Sequence, residues 1–95
     1  MDRKGVTLEQ LADFLGYEIR SQGNHKYIRM RYDGYFRRKV YYNIIVYQKK
    51  NQFIVYCRVN FPKATISEMI VEQNGIKIVI EETINQAITK ILAQT

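Results

Sequence analysis

His25 and Cys57 are the only histidine and the only cysteine in the chain, so nucleophilic or metal chemistry has two residues to work with. A Cys–His pair needs both side chains on one side of the backbone. Alternation around Cys57 sets it with the inward-facing residues, while His25 follows the turn sequence SQGN; the expected readings are a buried core thiol and an exposed loop imidazole. One His and one Cys also fall short of a structural zinc or iron site, which takes about four such ligands. Glu81 and Glu82 precede the predicted last helix, where negative charge favours the helix N-terminus. Glycines are scattered at turns and helix ends and form no phosphate-cradling loop. The sequence therefore predicts binding without catalysis, with no cofactor and no metal.

What the sequence does concentrate is positive charge and aromatic surface. The stretch HKYIRMRYDGYFRRKVYYN, residues 25–43, carries Lys26, Arg29, Arg31, Arg37, Arg38 and Lys39 among six aromatic rings, against a single acid, Asp33. Over the whole chain the formal charge is +6 and the pI about 9.6, which favours anionic partners. That charge is uneven: residues 1–60 hold twelve Lys or Arg against five Asp or Glu, and residues 61–95 three against four. Every arginine and every tyrosine precedes residue 59.

The elements that must position these groups follow from periodicity. At 95 residues the chain has room for one domain with one core. TLEQLADFLG, residues 7–16, places Leu8, Leu11, Ala12 and Leu15 on one helical face, with Thr7 and Gln10 spaced as a capping box and Gly16 as the stop. Residues 17–20 are the candidate for a short extra strand before SQGN. From His25 to Tyr32 alternation points Ile28, Met30 and Tyr32 inward and Tyr27, Arg29 and Arg31 outward; Val40, Tyr42, Ile44 and Val46, then Phe53, Val55, Cys57 and Val59, continue the inward set on two more strands. Pairing Val46 with Phe53 gives a self-consistent second hairpin, closed by a two-residue Lys49-Lys50 loop or the four-residue QKKN; the latter is expected, because a tight two-residue turn wants Gly or Asn at positive φ. In the first hairpin a two-residue Asp33-Gly34 turn would put Arg37 and Lys39 opposite core residues, so an odd-length loop or bulge within DGYFR is expected. After Pro62, residues 65–73 read as a short helix closed by Asn74-Gly75, with a hairpin at Asn-Gly as the rival. IKIVIE, residues 76–81, reads as a strand, and TINQAITKILAQ as a C-terminal helix behind a Thr83–Gln86 capping box. The predicted fold is a small single α+β domain over residues 1–95, a mostly antiparallel sheet with helices on one face, in the order α-β-β-β-α-β-α.

On this scheme the outer face gathers Tyr27, Arg29, Arg31, Lys39, Tyr41, Tyr56 and Arg58, with Arg37 and Arg38 at the hairpin end. Rings that stack on bases beside cations that meet phosphates are the working parts of sheet-based single-strand binders. Cross-strand Tyr–Arg and Tyr–Lys pairs also stabilise a wet sheet face with no ligand, by roughly 0.2–1 kcal/mol each, but a face kept wet for solubility alone ordinarily mixes both signs. Nucleic acid, RNA or DNA, is the expected partner. Ile45 and Ile54, read as opposed on that same face, raise the alternative of a protein-interaction or homodimer module covering it. TLEQLADFLG resembles the first helix of helix-turn-helix domains, but YEIRSQGNHKYIRM supplies no recognition helix. The central α-β-β-β-α order is similar to double-stranded-RNA-binding domains, whose basic last-helix motif TINQAITKIL does not match. A lone thiol and the lack of any signal-length or membrane-length apolar run predict a cytoplasmic protein without membrane attachment.

Overall fold

The computed structural model of the chain describes residues 2–33, 41–59 and 66–94. Helix α1 (Leu8–Leu15) is followed by strands β1 (Ile19–Gln22), β2 (His25–Asp33), β3 (Tyr41–Lys49) and β4 (Gln52–Val59), and then by helix α2 (Ile66–Ala93). The strands form one antiparallel sheet in chain order, and both helices pack on the same side of it. The α+β architecture is the expected one; the segment before β2 is a full strand, and the C-terminal third differs from the expectation.

Helix α1 starts and stops on local chemistry. The Thr7 hydroxyl accepts from the Gln10 backbone N–H at 3.1 Å while Gln10 Oε1 accepts from the Thr7 N–H at 2.8 Å, which satisfies two donors that the first turn otherwise leaves unpaired. At the other end Gly16 takes φ 81° and its N–H closes onto the Ala12 and Asp13 carbonyls. The face between holds Leu8, Leu11 and Ala12, all buried.

Parity organises the sheet. Ile28, Met30, Tyr42, Ile44, Val46, Phe53 and Val55 are buried on the inner side, with Cys57 packed against them, as alternation predicts. Between β2 and β3 the register is Met30 to Ile44 and Ile28 to Val46, ending at Asp33 opposite Tyr41. Seven residues, 34–40, separate that last pair. The two-residue Asp33-Gly34 turn is therefore not used, and the odd-numbered connection keeps both strands' apolar sets on one face. The expected bulge within DGYFR lies outside the described residues.

The β3–β4 register departs from expectation by two residues: Val46 faces Val55, Ile44 faces Cys57 and Tyr42 faces Val59, so Val46 does not meet Phe53. A shift of two preserves parity, which is why the inner set is unchanged and alternation could not detect it. The connection is a tight Lys50–Asn51 turn between paired Lys49 and Gln52, with Lys50 at φ 54°. Left-handed backbone costs an ordinary residue roughly 1–2 kcal/mol. Contacts from the start of the chain offset it. The Arg3 backbone N–H donates to the Asn51 carbonyl at 3.0 Å and Arg3 Nε to the Lys50 carbonyl at 3.1 Å. Arg3 Nη1 also holds the Val6 carbonyl at 2.9 Å, and Asp2 forms a bridge with Gln52.

Residues 76–81, expected as a strand, and Asn74-Gly75, expected as a stop, both lie inside the 28-residue helix α2. The reason is a face that runs through the supposed break. Ile76, Ile80, Ile84, Ala87, Ile88 and Ile91 are all buried at helical spacing, so Ile76 and Ile80 reach the core only if the helix continues. Burying two isoleucines contributes about 3–6 kcal/mol, more than the ~1 kcal/mol that a mid-helix glycine costs. Thr83 is likewise no cap: its hydroxyl donates back to the Val79 carbonyl at 3.0 Å. Glu81 and Glu82 stand in mid-helix, so support of a helix N-terminus is not their role.

The strain at Lys50 generates a prediction. Lys50→Gly removes the left-handed penalty and keeps both backbone carbonyls that Arg3 holds, so it should raise stability by about 0.5–1 kcal/mol, or roughly 2–8 °C in a thermal melt.

Candidate nucleic-acid interface

Strands stand about 4.8 Å apart and same-face residues about 6.7 Å apart along each strand, so the register turns the outer face into a grid. Its first row runs Arg20, Tyr27, Tyr47, Ile54 across all four strands. The second holds Arg29, Ile45 and Tyr56, and the third Arg31, Asn43 and Arg58. These three rows contain four arginines and no acid. Both helices bury their apolar residues against the opposite side of the sheet, and Arg20, Arg29, Arg31, Tyr47 and Tyr56 are exposed, Tyr56 by 56%.

The expected residues fall as follows. Tyr27, Arg29, Arg31 and Tyr56 share the face. Tyr41 and Arg58 belong to it by register, opposite Asp33 and Asn43. Arg37, Arg38 and Lys39 lie outside the described residues. Ile45 and Ile54 share the face but are not opposed: Ile45 faces Tyr56, and Tyr47 faces Ile54. Both isoleucines are half-buried, although the helices bury their apolar residues against the other side of the sheet. Sequence reasoning left out Arg20 and Tyr47. The signal for Tyr47 was present in the alternation of its strand, whereas Arg20 needed the β1–β2 register, which a four-residue strand does not advertise.

Two features add shape to the charge. Arg29 Nη2 donates to Asn43 Oδ1 at 3.4 Å, a long contact on the surface that aims the guanidinium across β2 and β3. Beside it, at the end of the sheet near the β1–β2 turn, lies a hollow of about 700 Å³ lined by Tyr27, Arg29, Ile45 and Tyr47 of the outer face and, round the end of the strands, by Lys26, Gln48 and Leu8 and Glu9 of α1. Lys26 on the rim lies 3.7 Å from Glu9 on α1. With both side chains mostly exposed, that ion pair adds little to stability.

The inner face holds the other chemistry-bearing groups. The Tyr42 hydroxyl, wholly enclosed, donates to Glu72 Oε2 at 2.9 Å and ties the sheet to α2. Burial raises the Tyr42 pKa well above the ordinary phenol value; the hydrogen bond to Glu72, then the charges of Glu72 and Cys57, act in the same direction. Burial, followed by the Glu72 charge, pushes the Cys57 thiol up to about 11. His25 is on the outer side of β2, five residues and about 17 Å along the strand from Met30, whose cross-strand row contains Cys57. The two do not form a nucleophile–base pair. Among the described residues no three His, Cys, Asp or Glu side chains converge as a metal site, and no helix is long and apolar enough to cross a membrane.

No known protein family, curated protein or solved structure matches the chain. The arrangement of its own residues carries the functional argument.

Two outcomes follow from the inner cluster. At pH 8 a thiol of pKa about 11 is roughly one-thousandth ionised, against about a tenth for a cysteine at the ordinary value of 9.0, so iodoacetamide should alkylate Cys57 at least tenfold more slowly than a model thiol. Both the phenol and the thiol hold their protons more tightly when folded. Their contribution to stability is complete below the unfolded values of 9.0 and 10.0 and is lost as pH rises through the folded ones. Melting temperature should therefore fall above about pH 9. Tyr42→Phe should reduce that slope while costing about 1 kcal/mol at neutral pH.

Proposed function

We propose that the protein binds nucleic acid through the outer face of its sheet, with the arginines on phosphates and the tyrosines against bases. The single observation that carries this reading is the set of three rows holding four arginines with Tyr27, Tyr47 and Tyr56, against one acid, Asp33, in the next row, on a face that neither helix covers. Cations spaced by the strand repeat suit a charged backbone laid across them, and tyrosine rings accept any base because every base has a π-face. In this reading Arg20, Arg29, Arg31 and Arg58 meet phosphate, and the partner is RNA or DNA without strong sequence preference. Arg37, Arg38 and Lys39, which lie between β2 and β3 in the sequence, add to the positive charge that attracts such a partner.

A protein partner or a second copy on this face is the other reading, favoured by the exposure of Tyr47 and Tyr56 beside half-buried Ile45 and Ile54. The two differ in salt dependence. Each phosphate contact on a single strand contributes about 0.7 to the slope of log affinity against log salt. Arg29→Ala combined with Arg31→Ala should flatten that slope by about 1.4 in fluorescence anisotropy with a labelled single strand. Unchanged affinity and slope in the double variant would remove the sheet face from the reading. Ile45→Asp disrupting self-association, with nucleic-acid binding weak in the parent protein, would favour the protein partner.

A further inference from the structure

The outer face is not a uniform platform, and the hollow that its Tyr27, Arg29, Ile45 and Tyr47 help to line has a chemistry of its own. The hollow is about 700 Å³, within the 300–1,000 Å³ typical of small-ligand sites. Among its outer-face lining residues, Tyr27 and Tyr47 are direct cross-strand partners, Arg29 and half-buried Ile45 are partners in the next row, and Asn43 neighbours Ile45 on the same side of β3. Glu9 is the one acid that lines it, and its carboxylate lies 3.7 Å from the Lys26 ammonium. The hollow thus offers rings and an aliphatic floor to a flat apolar body, amide and guanidinium groups to that body's edges, and positive charge to an attached anion.

We infer that this hollow is a subsite for one unpaired nucleobase, which stacks on the Tyr27 and Tyr47 rings over Ile45 while Arg29 holds the adjoining phosphate. The inference rests on the nucleic-acid reading above and narrows it. A base inside a duplex has neighbours on both of its faces, so only an unstacked base can enter. The ligand is therefore single-stranded, and the base adds affinity that the phosphates alone do not supply. Tyr56, two strands away from β2 on β4 and outside the hollow, can stack on a further base but does not form the subsite.

The test compares two labelled DNA strands carrying the same number of phosphates, one of thymidine and one wholly abasic, titrated with the full chain in fluorescence anisotropy. The subsite predicts that the thymidine strand binds roughly five- to a hundredfold more tightly, the range associated with stacking on one aromatic platform. Tyr47→Ala should collapse that ratio towards one, and Tyr56→Ala should lower it less; Tyr47→Leu, which keeps bulk without a ring, serves if the alanine variant loses its far-ultraviolet circular dichroism. Equal affinity for the two parent titrations overturns the base subsite and leaves the phosphate reading standing. No binding to either strand overturns both. A ratio that survives in Tyr47→Ala and Tyr47→Leu overturns the assignment of the hollow.

Discussion

The constraint on which the rest of this structure depends is the two-residue period of the strand, acting in a chain with helix enough to cover only one side of its sheet. Ile28, Met30, Ile44, Val46, Phe53 and Val55 leave water together because they share one parity, and α1 and α2 are both drawn to that side. The opposite parity carries Arg29, Arg31, Tyr47 and Tyr56 outward by default. The outer face is therefore fixed by the packing of the inner one. Its composition is not fixed by that packing, since a wet face needs polarity but not the four arginines that three of its rows carry.

Alternation made the inner and outer sets legible from sequence, and the Thr7–Gln10 box and Gly16 marked α1 because caps are local chemistry. Two things were not legible. The β3–β4 register slid by two, since parity is blind to even shifts and the deciding contacts come from Arg3, 47 residues from its partner in the turn. In the C-terminal third, Ile76 and Ile80 are β-branched and read locally as strand, whereas their fate was set by sharing a face with Ile84, Ile88 and Ile91. Exposed Ile70, Val71, Ile78 and Val79 blur that face further, because apolar residues on several sides of a helix hide its period. For the candidate site, Tyr27, Arg29, Arg31 and Tyr56 came through parity alone. Tyr47's place beside Tyr27, and the hollow they flank, needed the register.

The inner cluster also separates chemistry from reactivity. Cys57 and Tyr42 are the residues that a search for nucleophiles would notice, yet burial and the Glu72 carboxylate hold both in their neutral forms at ordinary pH. What the Tyr42 hydroxyl does is mechanical: its bond to Glu72 fixes where the first half of α2 sits over the sheet, in a stretch of helix whose other sides are partly apolar and exposed. A polar contact of this kind specifies one arrangement among several that hydrophobic burial alone would accept.

The grip of Arg3 on the Lys50–Asn51 turn has a temporal side. During synthesis Arg3 emerges well before its acceptors: with 47 residues between them and translation at roughly 5–20 residues per second, the delay is about 2–9 s. Throughout that interval the segment from Asp2 to Val6 has no hairpin to dock on, while α1, whose caps are all within ten residues of one another, can already form and melt on its own. The last hairpin is therefore the event that recruits the segment ahead of α1, which was made before the strands it docks on.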